Sequence, residues 1–127
     1  DRRLAWAQPF TRVARLPRDV SRSITAGDPL ADTWPDVAAV AAAAGGWLVV
    51  TTRDAWAAIG GWDERFEGWG GEDTWLAAAL RRACGPAGTT DGVLYHLWHP
   101  RDPHRRDTPE YESNRRVLRD FLRHAAG

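Results

Sequence analysis

A run of glycines, aromatic residues and acids at residues 60–73 (GGWDERFEGWGGED) has the composition of a ligand-binding loop. Glycines on both sides of Trp69 let the backbone approach a ligand closely, because no Cβ intervenes. The indole of Trp69 offers a flat apolar face with one N–H donor, which suits stacking on the C–H face of a sugar ring. Glu72 and Asp73 follow, and one of these carboxylates could accept a proton from a substrate hydroxyl. Acids are also the usual choice at a helix start, so a purely structural role stays open.

Two histidines three residues apart, His96 and His99, form a second candidate site. Side chains at i and i+3 of an ideal strand face opposite sides, so a shared metal requires the strand to end near Leu97, which Pro100 favours. Alternatively, one histidine is a partly buried strand residue and the other lies in a solvated loop. A structural zinc site needs four ligands, and Cys84 alone does not complete one. A metal here would need further ligands from elsewhere or from a substrate phosphate.

Short helices and strands must position these residues. The elements are predicted from apolar periodicity, capping residues and glycine breaks. The first half of the chain is predicted to contain a helix over 36–44, a buried strand over 47–50 and a helix over 53–59. The second half is predicted to contain a helix over 72–83, a strand over 92–98 and a helix from about 107. Residues 1–35 predict loop with one or two short elements. Trp47, Trp56 and Trp75 are predicted to lie in the core. This order indicates part of an α/β fold.

The overall composition excludes several classes of protein. Seventeen arginines and no lysine balance 17 acidic residues, and a net charge of zero argues against a nucleic-acid binder. A single cysteine excludes an internal disulfide framework, and the longest apolar run, residues 37–44, is too short for a membrane span. The sequence therefore predicts a cytoplasmic chain, either free or peripherally bound to a membrane, with no transmembrane segment.

Several motifs in a fixed order resemble the C-terminal catalytic segment of GT-A glycosyltransferases, in particular family 2 and the galactosyltransferase group. The motifs are residues 46–50 (GWLVV), 60–66 (GGWDERF), 68–73 (GWGGED) and 96–100 (HLWHP). The resemblance implies an α/β fold that is the C-terminal portion of a GT-A (nucleotide-diphospho-sugar transferase) fold and lacks most of the N-terminal nucleotide-binding half. It implies a single partial domain, with residues 1–44 as a linking segment, 45–100 as the acceptor-side catalytic segment, and 101–127 as a loop and C-terminal helix.

The same resemblance implies a function. The parent enzyme would transfer a hexose or N-acetylhexosamine from a nucleotide-sugar donor to a hydroxyl of a glycan or other acceptor, with inversion; the isolated segment is expected to be inactive. Asp73 matches the general base, and Glu72 matches a residue that hydrogen-bonds sugar hydroxyls. Trp69 matches an aromatic residue that packs on bound sugars. The implied substrate site is completed by glycines, namely Gly46, Gly70 and Gly71.

A metal is part of the implied mechanism. His99 matches the late metal-binding histidine of these enzymes, and His96 falls where the galactosyltransferases place another ligand. The implied ion is Mn²⁺ or Mg²⁺, which would neutralise the leaving diphosphate. No Asp-x-Asp motif occurs in the sequence, so that part of the site would lie upstream. Two other classes stay open: a non-catalytic carbohydrate-binding fragment, and a small metal-dependent hydrolase built on the two histidines.

Overall fold

The computed structural model describes residues 4–28, the backbone of residues 39–41, and residues 48–124. These parts of the chain form short strands and helices. In chain order they are β1 (Trp6–Gln8), β2 (Arg12–Arg15), α1 (Arg18–Thr25), β3 (Ala39–Ala41), β4 (Val50–Thr51), α2 (Arg53–Ala58), α3 (Glu72–Cys84), β5 (Gly88–Thr89), β6 (Val93–His96) and α4 (Pro109–His124). The mixture of helices and strands confirms the predicted α/β class, whereas the GT-A fold stays a prediction.

The chain divides into two compact units that are each assembled from separated stretches of sequence. Unit 1 comprises Asp1–Pro9, Ala44–Thr89 and Asp102–Gly127, and unit 2 comprises Phe10–Ala43 and Thr90–Arg101. The segment boundaries predicted after residues 44 and 100 stay predictions.

Unit 1 is built around the buried helix α3. Its sheet has the order β4-β1-β5, in which β1 runs antiparallel to β4 and parallel to β5. Trp75, Leu76 and Leu80 of α3 are buried together with Trp6 of β1, whose indole N–H donates to the carbonyl of Gly85 at 2.9 Å. This packing fixes α3, and with it the residues at its N-terminus.

The ends of the helices in unit 1 follow from local sequence. Thr52 caps α2, because its hydroxyl accepts a hydrogen bond from the Ala55 N–H at 3.1 Å. Helix α3 ends before Gly85, which has a positive φ of 84°, and basic residues occupy its last turn. The predicted helices over 53–59 and 72–83 are confirmed to within one residue.

Unit 2 holds the second sheet, with the order β3-β2-β6, in which β2 is antiparallel to β3 and parallel to β6. Val13 of β2 is fully buried. Ser21 of α1 fixes the segment after β6: its hydroxyl donates to the Pro17 carbonyl at 2.8 Å and accepts from the Trp98 N–H at 2.7 Å. One buried hydroxyl thus joins α1 to the chain next to the two histidines.

Several element predictions are wrong. The alanine-rich stretch predicted as a helix over 36–44 contains strand β3 at Ala39–Ala41, because pairing with β2 overrides helix propensity; its remaining residues lie outside the described part of the chain. The strand predicted over 47–50 is reduced to β4, at the edge of its sheet, with Val50 57% exposed. Trp56 is also partly exposed, at 37%, whereas Trp75 is buried as predicted. Trp47 lies outside the described residues.

The region predicted to be mainly loop, residues 1–35, contains more regular structure than expected, namely β1, β2 and α1. Its short strands carry too few residues for a clear period-2 pattern, which is why they are hard to find from sequence. Within the described ranges, none of the helices has the length and apolar character needed to cross a bilayer.

Candidate active site

The glycine-rich loop of unit 1 packs closely against α4. Gly70 and Gly71 have positive φ values of 107° and 97°, and Gly71 caps the N-terminus of α3. A Cβ on Gly70 would lie 2.9 Å from the ring of Tyr111, and one on Gly71 would lie 3.2 Å from the ring of Phe66. Both the backbone conformation and the close approach therefore require glycine at these two positions.

A buried asparagine of α4 holds the loop in place. Asn114 is 1% exposed, and its Nδ2 donates to the carbonyl of Glu67 at 2.8 Å while its Oδ1 accepts from the Glu67 N–H at 3.1 Å. Nδ2 also lies 3.4 Å from the carbonyl of Trp69. The side chain of a helical residue thus provides hydrogen-bond partners for backbone groups of the loop. This holds the loop, and the residues that follow it at the start of α3, in a fixed position.

A second turn in the loop is fixed by an ion pair. The guanidinium of Arg65 donates to both carboxylate oxygens of Asp63, at 2.9 and 2.7 Å, and the Arg65 N–H also donates to Oδ1. The side-chain hydrogen bond from Arg65 is the main reason that the pKa of Asp63 is lowered. Asp63 thus shapes the loop and is not positioned as a proton acceptor.

Glu72 and Asp73 occupy the first turn of α3, as predicted. The N-cap residue is Gly71, which has no side chain, so the two first-turn acids supply the negative charge that a helix N-terminus favours. Oε2 of Glu72 is buried and has no hydrogen-bond partner among the described residues. A buried carboxylate oxygen without a donor is unfavourable, and such unsatisfied groups are unusual outside functional sites.

The pKa of Asp73 is raised above its ordinary value. Desolvation by the surrounding protein is the larger cause, and the neighbouring Glu72 carboxylate adds to it. The side chain nevertheless remains exposed, so an external hydroxyl can reach it. An accessible carboxylate with a raised proton affinity is a suitable general base.

Trp69 lies at the surface, 43% exposed, as expected for a platform that contacts a ligand. Its ring stacks on Tyr111, with centroids 5.6 Å apart and planes inclined by 22°. The guanidinium carbons of Arg105 and Arg106 lie 4.8 and 5.7 Å from the Trp69 ring centroid. The structure therefore surrounds the predicted platform with an aromatic ring and two cations.

The two histidines belong to unit 2. Strand β6 ends at His96, and beyond it the chain turns so that the imidazole centroids of His96 and His99 are 5.3 Å apart. The expectation that the strand must end near Leu97 to bring the rings together is confirmed. A pocket of about 330 Å³ lies here, lined by Arg15, Leu16, His96, Trp98, His99 and Arg101.

The two imidazoles are of the ligand type that an open metal site uses, whereas the guanidinium groups of Arg15 and Arg101 in the same pocket disfavour a bare cation. Burial, together with the positive charge of Arg15, lowers the pKa of His96 and favours the neutral ring that metals require. His99 Nδ1 lies 3.0 Å from the carbonyl of Pro100; if Nδ1 carries the proton, Nε2 is left to bind a metal. Within the described residues no group of three or more His, Cys, Asp or Glu could hold a metal. Further ligands would have to come from another source.

Comparison with known proteins finds one similarity, to a family model. Residues 37–93 match a family model described as the N-terminal domain of galactosyltransferase. The match supports a galactosyltransferase-like glycosyltransferase. It spans somewhat less than half of the chain; it includes Glu72 and Asp73 and ends before His96. The description names an N-terminal domain, whereas the motifs predict a C-terminal segment, and that placement stays a prediction.

Searches of curated proteins and of solved structures found no match.

The structure gathers most of the predicted substrate residues in one unit. Trp69, Gly70, Gly71, Glu72 and Asp73 are consecutive at the start of α3, whereas His96 and His99 lie in unit 2. Gly46 lies outside the described residues.

Sequence reasoning missed Asn114, and it gave no indication that Arg105, one of several arginines in the segment before α4, lies over Trp69. A signal for Asn114 was present: a polar residue at position 114 falls on the apolar stripe of α4 between Tyr111 and Leu118, where buried polar groups need a partner.

Proposed function

We propose that this chain is the acceptor-side part of a glycosyltransferase that moves a hexose or N-acetylhexosamine from a nucleotide sugar to an acceptor hydroxyl, with inversion. The observation that carries the proposal is the acidic pair at the start of α3: Glu72 has a buried oxygen without a partner, and Asp73 is accessible with a raised pKa. The family match over residues 37–93 supports the same class of reaction.

In the proposed reaction Asp73 acts as the general base. Its carboxylate takes the proton of the acceptor hydroxyl while that oxygen bonds to the anomeric carbon of the donor sugar. The bond between the anomeric carbon and the diphosphate oxygen breaks, and its electron pair leaves with the diphosphate. A single displacement of this kind inverts the anomeric configuration.

The neighbouring residues position the sugar. The carboxylate of Glu72, which is only partly buried as a whole, would accept a hydrogen bond from a sugar hydroxyl. Trp69 would pack on the C–H face of a sugar ring, since its indole is partly exposed. Asn114 acts indirectly, because it holds the backbone of Glu67 and Trp69.

We further propose that His96 and His99 hold a divalent cation, Mn²⁺ or Mg²⁺. When bound, the ion would supply charge neutralisation for the diphosphate leaving group. Arg15 and Arg101 line the same pocket, and their guanidinium groups would bind anionic oxygens there. In this proposal the complete enzyme has a GT-A fold, and the remaining metal ligands come from a nucleotide-binding half.

The test is replacement of the base. In the intact protein, assayed against a panel of nucleotide sugars, Asp73→Asn should lower turnover by roughly 10²–10⁴-fold. Asp54→Asn is the matched control, because Asp54 is an exposed acid in the first turn of α2. Turnover of Asp73→Asn close to that of the unmodified protein would overturn the assignment.

A second candidate, non-catalytic carbohydrate binding, is favoured by the exposed indole of Trp69. Calorimetry separates the two functions. Metal-dependent binding of a nucleotide sugar supports the transferase, whereas metal-independent binding of oligosaccharides alone supports the binding module.

A further inference from the structure

We propose that Trp69, Arg105 and Arg106 form a binding site for a sugar that carries an anionic group, such as a uronic acid or a sulfated sugar. The guanidinium carbons of the two arginines lie 4.8 and 5.7 Å from the centroid of the Trp69 ring. All three residues belong to unit 1, and the indole keeps 43% of its surface exposed. We call these residues the Trp–Arg site.

The two arginines keep their positive charge available. Arg105 Nη1 donates to the backbone carbonyl of Asp102 at 2.8 Å, which is a neutral partner. In the described part of the chain, no ion pair joins either arginine to a carboxylate. The carboxylates of two acids in the same segment contact His104 instead of the arginines. Oδ1 of Asp102 accepts a hydrogen bond from the backbone N–H of His104, and Oδ2 of Asp107 lies 3.3 Å from Nδ1 of its ring.

The shape and charge of the Trp–Arg site select an anionic sugar over a neutral one. The C–H face of a pyranose would pack on the exposed indole, and its carboxylate or sulfate would accept charge-assisted hydrogen bonds from the guanidinium groups. Tyr111 stacks on the Trp69 ring and the guanidinium groups lie over it, so any sugar must displace a guanidinium group to reach the ring. A neutral sugar loses that cation–π contact without replacement, whereas an anionic sugar replaces it with charge-assisted hydrogen bonds. An anionic sugar therefore satisfies both components of the site together.

The location of the site gives this selectivity a role. Trp69 lies in the loop that leads into α3, whose first turn carries Glu72 and Asp73, and these two carboxylates repel an anionic ligand. The positive charges of Arg105 and Arg106, which lie over Trp69, would offset that repulsion. The inference rests on the proposed function, because it names the chemical class of acceptor that Asp73 would deprotonate.

The test is a titration of the ¹⁵N-labelled chain, followed at the Trp69 indole N–H, which is assigned with Trp69→Phe. The probes are methyl β-D-glucuronide, methyl β-D-glucoside 6-sulfate and methyl β-D-glucoside. At least one anionic glycoside should bind roughly tenfold or more tightly than the neutral one, because charge-assisted bonds are added. The two anionic probes distinguish a carboxylate ligand from a sulfate ligand.

Two variants assign the effect to the arginines. The double replacement Arg105→Gln/Arg106→Gln should abolish the preference for the anionic glycosides. The matched control, Arg116→Gln/Arg119→Gln, removes the same charge from exposed positions of α4 and should leave the preference within about twofold, since solvent screens distant charges.

Three results would overturn the inference. They are equal affinity for the neutral and anionic glycosides, a preference that survives Arg105→Gln/Arg106→Gln, and sodium sulfate shifting the Trp69 signal as strongly as the sulfated glycoside. Turnover tests the proposed function separately. Transfer to a neutral acceptor that is unaffected by the double arginine variant retains the function and overturns the inference. Binding of the anionic glycosides at Trp69 in an intact protein that transfers no sugar retains the inference and overturns the proposed function.

Discussion

The side-chain amide of Asn114 makes hydrogen bonds to both the backbone N–H and the backbone carbonyl of Glu67. Asn114→Ala would leave both groups of the loop unsatisfied. Because buried unpaired polar groups are unfavourable, the free energy of unfolding should fall by about 2–4 kcal/mol, measured by urea denaturation. Ser113→Ala, at the adjacent position of α4, should change it by less than about 0.5 kcal/mol. Equal stability of the two variants would contradict the role of Asn114.

Gly70→Ala should be more harmful than an alanine at another glycine with positive φ. The new Cβ would lie 2.9 Å from the ring of Tyr111, and the variant also has the strain of φ 107°. We expect a loss of about 2–4 kcal/mol, with strain and overpacking combined. Gly60→Ala, with φ 78° and nothing within 4 Å of the new Cβ, should lose only about 1–2 kcal/mol. Thermal unfolding compares the two, and similar losses would show that the contact with Tyr111 is unimportant.

The pH dependence should identify Asp73. Because its pKa is raised, the proposed base becomes protonated at a higher pH than an ordinary aspartate, and turnover should fall on the acidic side through that raised value. The acidic limb of the pH profile should therefore lie above 3.8, the ordinary value for Asp73. An acidic limb that is unchanged in the residual activity of Asp73→Asn would assign the titration to another group.

The same shift has a consequence for stability. The folded protein binds the Asp73 proton more tightly than the unfolded chain, so this group favours folding below pH 3.8, and that contribution is lost as pH rises through the raised pKa. At neutral pH, Asp73→Asn should therefore unfold at a temperature equal to or above that of the unmodified protein. A clearly lower melting temperature would contradict this sign.

Metal binding should depend on both histidines of unit 2. In the presence of a nucleoside diphosphate, His99→Ala and His96→Ala should each weaken Mn²⁺ binding by about tenfold or more, because each removes a proposed ligand. Electron paramagnetic resonance of free Mn²⁺ measures this directly. His104→Ala, which removes an exposed histidine of unit 1, should leave the affinity unchanged. Unaltered Mn²⁺ affinity in His99→Ala would remove the histidine pair from the proposal.

The parts of the fold that the sequence predicts well carry strong local signals. Helix α3 has an apolar face, acids in its first turn and Gly85 beyond its end, and it occurs within one residue of its predicted bounds. The strand predicted over 92–98 occurs as the shorter β6, which ends at His96, and the final helix is confirmed as α4. By contrast, Ala39–Ala41 has a composition that favours helix, and its pairing with β2 depends on residues distant in sequence.

The candidate site also contains residues that the sequence predicts and residues that it does not. The carboxylates, the glycines and Trp69 are contiguous, so residue types and spacing are enough to predict their grouping. Tyr111, Asn114 and Arg105 reach the loop from a part of the chain more than thirty residues later. Such contacts require knowledge of how α4 and the segment before it pack, which no local pattern supplies.

Both sheets pair an early strand with one that is made about eighty residues later: Ala7 lies beside Gly88, and Val13 lies beside Leu94. During synthesis, neither pairing can form until most of the chain has left the ribosome. Closing such long loops costs entropy before any contact is gained, and folding rates fall as sequence separation increases. The chain should therefore fold slowly for its size, and β1 and β2 lack their parallel neighbours until β5 and β6 have been synthesised.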